Sequence, residues 1–198
     1  SRDITLLDTT DPATSSDGLS EELLDLATVM KAAQTISGEI VLNALLSKMI
    51  QIVLENAGAQ RGLLLLPHNE HWFIEAENDV AWQEPIVLQS LPLEGDLQND
   101  EPPKLPLTMV NYVLRTHEPL VLNNALVERK FAEDGYIKQY QPKSVLCLPL
   151  LYRGSLEGML YLENNLTTGA FTSKRLEVLQ LLASQAAISI ENARLYRT

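Results

Sequence analysis

Few side chains in this sequence combine a reactive type with a spacing that could support chemistry. The chain of 198 residues contains one cysteine, Cys147, and three histidines, His68, His71 and His117. A single thiol cannot form an internal disulfide or a cysteine-based metal site. No two of the histidines have the i, i+4 spacing that places two metal ligands on one helix face. We therefore expect surface histidines, no metal centre and no catalytic residues.

The sequence also lacks the common catalytic and phosphate-binding motifs. The sequence has no Gly-x-Ser-x-Gly nucleophile elbow and no glycine-rich phosphate loop, so neither acyl nor phosphoryl transfer is predicted. No residue pattern identifies a cofactor. The sequence predicts that this chain is not an enzyme.

The negative charge of the chain limits the classes of partner that it can bind. The net charge is -11 and the pI is about 4.7, and no basic stripe is present to bind a phosphate backbone or an anionic membrane. No run of 18 apolar residues predicts a membrane span. A lone cysteine and the absence of a signal-peptide pattern favour the cytoplasm.

The N-terminal part is predicted to be a tail followed by two helices. Residues 1–18 are rich in Ser, Thr and Asp and indicate a flexible linker, so the folded domain with its flanking helices is expected to span 19–198. Ser20, followed by two glutamates, indicates a helix start. The next helix is predicted at about 39–57 and ends at Gly58.

The rest of the chain alternates between strands and helices. The predicted strands are 63–66, closed by Pro67, then 71–77, 85–91, 118–122, 144–151 and 156–163, with a tight turn at 152–155. A polar loop is expected at 94–106, short helices at 107–116 and around 130–139, and a long helix at about 172–196. This order predicts an α+β fold with an antiparallel sheet of about six strands.

The last helix is apolar on two faces. One stripe contains Leu176, Leu179, Ala183, Ala186, Ile190 and Ala193, and the other contains Val178, Leu181, Ile188 and Leu195. A helix with two apolar faces needs two packing partners. One face can cover the sheet, and the other must meet a helix of the same chain or of a second copy; of these, we predict a homodimer. The helical interface of this dimer is predicted to contain Leu23, Leu26, Met30, Leu179, Ala183, Ala186 and Ile190.

The C-terminal third resembles a known family. Pro149-Leu150, Gly158-x-Leu160-x-Leu162-x-Asn164, Phe171-Thr172 and a final helix ending in 192–196 (NARLY) follow in the order seen in GAF domains. The stretch 24–66 resembles the entry helices of GAF domains in cyanobacterial multi-domain sensor kinases, so the likeness covers roughly 20–198. It implies a GAF (PAS-like) fold with long terminal helices on one sheet face and short helices and loops on the other.

The resemblance also implies a function and a site. It implies a sensory or regulatory module in a kinase with Ser/Thr-kinase-like and histidine-kinase regions that lie outside this chain. GAF relatives hold small molecules under the short helices. On strand 144–151, the face of Cys147 differs from the all-apolar face of Leu146 and Leu148. The residues that either line a ligand pocket on this face or pack it as a closed core are Cys147, Tyr161, Glu163, Tyr112, Phe131 and Tyr136.

Three alternatives stay open on the same resemblance. Relatives that bind bilins attach them through a cysteine usually followed by histidine, whereas Leu148 follows Cys147 here, and Cys147 could instead serve redox sensing. Relatives that reduce free methionine sulfoxide need several cysteines. Cyclic-nucleotide-binding relatives carry an Asn-Lys, Phe, Asp-Glu signature. The corresponding types here, Asn123, Asn124, Lys130, Phe131 and Asp134, differ from it in order and spacing.

Overall fold

The computed structural model describes residues 38–95 and 100–195. Within these ranges the helices are α1 (Gly38–Ala57), α2 (Leu107–Thr116), α3 (Gly135–Tyr140) and α4 (Ser173–Leu195). The strands are β1 (Arg61–His68), β2 (His71–Asp79), β3 (Ile86–Pro92), β4 (Leu120–Leu122), β5 (Ser144–Tyr152) and β6 (Ser155–Asn164). The predicted tail 1–18, the helix predicted to follow it and the tip of the 94–106 loop at 96–99 lie outside the described residues.

The strands form one antiparallel sheet in the order β3-β2-β1-β6-β5-β4, which confirms the predicted fold class. β5 and β6 are joined by a two-residue turn. Arg153 and Gly154 both have positive φ, 50° and 77°, as the tightest hairpin turns require. β1 and β6 lie at the centre of the sheet and pair with each other.

The α1 and α4 helices cover one face of the sheet. Leu146, Leu148 and Leu150 of β5 and Leu160 and Leu162 of β6 pack against them in the larger core. The α2 and α3 helices and their loops cover the other face. Val145, Cys147, Met159 and Tyr161 lie in that second core. The alternation predicted for strand 144–151 is therefore confirmed, and β6 alternates in the same way.

A β-bulge interrupts the side-chain alternation of β2. Ile74 pairs with Leu65 and Ala76 pairs with Leu64, so Glu75 is an extra residue in the ladder. Such a β-bulge reverses the side-chain parity beyond it. Ile74 consequently lies in the core beneath α2, whereas Ala76 lies in the core beneath α1. The bulge also places Glu77 on the face covered by α2 and α3, where it meets Lys104.

Two predicted boundaries differ for local reasons. β1 continues through Pro67 to His68 because Pro67 pairs only with Trp72 of β2, beyond the part of β1 that pairs with β6. At that position its missing N–H breaks no ladder on the β6 side. The short helix predicted around 130–139 begins at Gly135, because Asp134 caps it.

The predicted dimer stripe of α4 lies inside the chain's own core. Leu179, Ala183, Ala186 and Ile190 are at most 6 % exposed and pack between α1 and the sheet. These side chains cannot contact a second copy while the domain is folded, so this part of the predicted interface is corrected. The exposed apolar side chains of α4 are those of the second stripe, with Leu181 55 % and Ile188 38 % exposed. Leu23, Leu26 and Met30 lie outside the described residues.

Candidate functional site

A group of charged and phenolic side chains, all buried or half-buried except the exposed Lys104, lies on the sheet face covered by α2 and α3. We call it the Arg61 network. It consists of Arg61, Glu77, Lys104, Tyr136, Tyr161 and Glu163. Glu77 and Glu163 are only 4 % and 3 % exposed. Buried carboxylates are costly unless they are paired and hydrogen-bonded, so each partner in this group matters.

Strand register brings the core of the network together. Arg61 stands directly opposite Glu163 in the β1–β6 ladder. On the other side of β1, Glu77 pairs with Leu63, one diagonal step from Arg61. The Arg61 guanidinium donates two hydrogen bonds to Glu77 Oε1, from Nε at 3.2 Å and from Nη2 at 3.1 Å. Its Nη1 atom lies 3.4 Å from Glu163 Oε1. One arginine therefore neutralises carboxylates from both neighbouring strands.

Two phenols complete the environment of Glu163. Tyr161 Oη donates to Glu163 Oε2 at 2.7 Å, and Tyr136 Oη donates to the same oxygen at 2.8 Å. Burial raises the pKa of both tyrosines well above the usual value, and the negative charge of Glu163 is the second contribution to this increase. Both phenols therefore keep their protons and act as donors. Tyr136 Oη also accepts from Arg61 Nη1 at 2.8 Å.

The network also anchors Lys104, which lies in the described segment 100–106 before α2. Lys104 Nζ contacts Glu77 Oε2 at 3.0 Å, and the Lys104 carbonyl accepts from Arg61 Nη2 at 2.9 Å. A cavity of about 40 Å³ lies beside this loop, next to Ile74, Gly95 and Lys104. With two cationic and two anionic groups, the network is close to neutral.

Asp134 holds both covering helices. Its carboxylate accepts from the backbone N–H of Tyr136 at 2.8 Å and so caps α3. It also accepts from the backbone N–H and the hydroxyl of Thr108, at 3.1 Å and 2.7 Å, at the start of α2. One buried carboxylate thus ties the N-termini of α2 and α3 together, and it keeps Tyr136 within reach of the sheet.

Replacing Asp134 with alanine is expected to lower the free energy of unfolding by about 1–2 kcal/mol, since a single helix cap contributes about 1 kcal/mol and this side chain serves two helices. Urea denaturation measures the change. Glu133→Ala is the matched control, because Glu133 is the neighbouring carboxylate and is exposed. Equal effects of the two substitutions would contradict the double cap.

The structure divides the predicted pocket residues into three groups. Tyr136, Tyr161 and Glu163 are in mutual contact within the Arg61 network. Tyr112 and Phe131 form a separate edge-to-face pair with ring centroids 6.1 Å apart, and Lys130 Nζ lies 4.1 Å from the Tyr112 centroid. The third group is Cys147 alone, whose sulfur contacts Met159 Sδ at 3.2 Å.

Sequence reasoning missed Arg61, Glu77 and Lys104. A charged residue two positions before Leu63 was the available signal for Arg61, since this offset gives it the strand parity of the buried Leu63 and Leu65. Glu77 could not be assigned to this face by alternation, because the β2 bulge is not visible in the sequence. Lys104 lies in a polar loop whose path depends on the tertiary fold.

Cys147 is poorly placed for chemistry. It is fully buried in the middle of β5, and burial raises the pKa of its thiol well above the usual value. Since the thiolate is the reactive form, a buried neutral thiol is a weak nucleophile. The three histidines are exposed, as predicted. Among the described residues, no group of three or more His, Cys, Asp or Glu is arranged to hold a metal ion.

The Cys147 thiol is expected to react with a disulfide reagent in the native protein on the order of a hundredfold more slowly than in urea, because burial suppresses both the thiolate and access to it. Absorbance of the released thiol follows the reaction. Ser155→Cys in a Cys147→Ser background supplies the exposed comparison. Equal rates for the buried and exposed thiols would show that Cys147 is accessible.

Comparison with known proteins agrees with this architecture. The GAF domain model matches residues 41–190. Since this match covers most of the chain, the chain belongs to the GAF domain family. The domain is homologous to regulatory domains of sensor histidine kinases.

Two kinases illustrate the relationship. The chain is 52 % identical over 90 residues to hybrid signal transduction histidine kinase G of Dictyostelium discoideum, a match that covers 46 % of this chain and 3 % of the kinase. It is 29 % identical over 179 residues to peroxide stress-activated histidine kinase mak3 of Schizosaccharomyces pombe, which covers 90 % of this chain and 7 % of the kinase. The chain therefore spans only a small part of the length of these relatives.

Solved structures support the fold alone. The GAF domain of an Acinetobacter phosphoenolpyruvate-protein phosphotransferase superposes with a TM-score of 0.64 at 19 % identity, covering 92 % of this chain and 95 % of that domain.

In the described ranges, no helix combines the length and the apolar character needed to cross a membrane.

Proposed function

We propose that this chain is the sensory module of a multi-domain signalling kinase. It responds to a small molecule held between the sheet and the α2–α3 cover, and it passes that state to the terminal helices. The observation that carries the proposal is the Arg61 network. It joins three neighbouring strands, β2, β1 and β6, to the α2–α3 cover through charged groups, although apolar side chains of similar volume would often stabilise a fold equally well or better.

The relatives support a proposal about the parent protein. Those matched above are histidine kinases, so we propose that the kinase regions lie elsewhere in the same polypeptide and that the chain itself catalyses nothing. A cytoplasmic location fits such a module. The cyanobacterial source and the combination of Ser/Thr-kinase-like and histidine-kinase regions stay predictions from the sequence resemblance.

A second copy of the chain is the proposed structural partner. Leu181 and Ile188 are exposed on α4 and are spaced by one heptad, as in the seam of a coiled coil. A dimer through this face would place two α4 helices side by side. A shift of α4 could then reach the next domain of the polypeptide.

The α4 helix is attached to the sheet at its C-terminal end. Arg194 donates to Glu157 of β6 at 3.0 Å and to the Pro67 carbonyl of β1 at 3.2 Å. β6 also carries Tyr161 and Glu163 of the Arg61 network. One strand therefore links the proposed ligand site to the last turn of the output helix, which supports the relay.

Two measurements on the purified chain test the proposal. Native mass spectrometry should show a dimer at micromolar concentration. A thermal-shift screen of small metabolites should find a compound that raises the melting temperature and slows hydrogen exchange in 135–140. A strictly monomeric chain would contradict the dimer. A broad screen in which no compound protects α3 would contradict ligand sensing at this site.

A further inference from the structure

We infer that the ligand of this site carries a neutral hydroxyl group on an aromatic ring, and that it displaces the Tyr136 phenol from between Arg61 and Glu163. The inference rests on the proposed ligand-sensing function and adds the chemical class of the ligand. In this state Tyr136 acts as an internal ligand that closes the site.

The hydrogen bonds of the Tyr136 oxygen define the group that can replace it. This single atom accepts from Arg61 Nη1 at 2.8 Å and donates to Glu163 at 2.8 Å. A replacement must therefore accept and donate at the same position, as a hydroxyl does. Any group that lacks either function removes one hydrogen bond from the half-buried Arg61 or from the buried Glu163, which is costly.

Charge balance disfavours the common ionic ligands, since Arg61 is already paired with Glu77 and Glu163. A carboxylate or phosphate in the place of the phenol would meet Glu163, which is 3 % exposed and could not escape into water. An ammonium group there would meet the Arg61 guanidinium. Like charges repel strongly at such short distances in a poorly hydrated environment. A neutral hydroxyl preserves the charge balance of the network.

The place of the Tyr136 ring is suited to another aromatic ring. Tyr161 approaches it edge-on with centroids 6.5 Å apart, and the Arg61 guanidinium carbon lies 6.0 Å from its centroid. Both contacts favour a π-system over a saturated ring. The space that the Tyr136 side chain occupies therefore selects an aromatic ring as well as a hydroxyl group.

Only the Tyr136 side of this arrangement has to move. Arg61, Tyr161 and Glu163 lie on the paired central strands β1 and β6, so they stay in position when the cover opens. Tyr136 belongs to α3, a helix of six residues. The sheet thus supplies a preorganised half-site, and preorganisation lowers the cost of binding.

The test compares four probes of similar size: 4-methylphenol, toluene, 4-methylbenzoate and benzylamine. Each is titrated by calorimetry and by two-dimensional NMR into the wild-type chain and into Tyr136→Ala, which removes the internal competitor. We expect 4-methylphenol to bind Tyr136→Ala at least about tenfold more tightly than the wild type, because the competing closed state is gone. We also expect it to bind at least about tenfold more tightly than toluene, with no binding of the two ionic probes.

Tyr136→Phe is the matched control, since it keeps the ring in place and removes only the hydroxyl. It should show no gain in affinity for 4-methylphenol. If Tyr136→Ala does not fold, the wild-type NMR titration decides, with shifts expected at Tyr161, Glu163 and α3 for 4-methylphenol alone.

The remaining outcomes separate the inference from the proposed function. Equal binding of toluene and 4-methylphenol, or preferential binding of an ionic probe at these residues, overturns the hydroxyl assignment and leaves ligand sensing standing. Failure of all four probes also overturns the assignment. The sensing function then falls only if the metabolite screen finds no compound that protects α3.

Discussion

Replacement of Arg61 with methionine is expected to lower the free energy of unfolding by about 3–5 kcal/mol, since it leaves buried carboxylates without their cation. Glu163 loses its only ion-pair partner among the described residues, and Glu77 retains only Lys104. Methionine fills much of the volume of the arginine stem, so lost packing is a minor contribution. Denaturation in urea, followed by circular dichroism, measures the change.

Two further variants show whether charge is the cause. Arg129→Met changes an exposed arginine and should alter stability by about 0.5 kcal/mol or less. Adding Glu77→Gln and Glu163→Gln to Arg61→Met should recover part of the loss, because the unpaired charges are then removed as well. A single Arg61→Met variant as stable as the wild type would show that the network is solvated and not a buried site.

A glutamate at position 186 is expected to affect folding and a glutamate at position 188 to affect dimerisation, although the two positions are only two residues apart on α4. Ala186 is 6 % exposed in the core beneath α1, so Ala186→Glu should destabilise the fold by about 3–5 kcal/mol through an unpaired buried charge. Ile188 is 38 % exposed, so Ile188→Glu should cost about 1 kcal/mol or less. Its main effect should be to weaken the dimer at least tenfold.

Urea denaturation and sedimentation equilibrium distinguish these effects. Ser184→Glu controls for added charge on an exposed position of the same helix and should leave the folding free energy unchanged within about 0.5 kcal/mol. A folded Ala186→Glu variant that is monomeric would restore the interface predicted from the sequence. An Ile188→Glu variant that dimerises as the wild type does would remove the exposed stripe of α4 as the interface.

Local sequence signals are sufficient for most of the elements. The β5–β6 hairpin is predictable because two apolar runs flank a turn containing Gly154, and positive φ at that position suits glycine. The predicted bounds of α2 agree with the observed ones, Leu107–Thr116. Side-chain parity along β5 and β6 is enough to separate the two cores, because neighbouring side chains on a strand must point to opposite faces.

The sequence by itself therefore determined the class of fold, the order of the elements and the side of the sheet on which Tyr161 and Glu163 lie, since these follow from short-range periodicity and turn chemistry. Only the tertiary structure decided which apolar stripe of α4 is buried. Both stripes satisfy helical spacing, and the choice depends on α1, which is distant along the chain. The composition of the Arg61 network also became visible only in the tertiary structure. Its members come from positions 61 to 163 and meet through strand pairing, the bulge at Glu75 and the capping of α3 by Asp134. None of these can be read from a single segment.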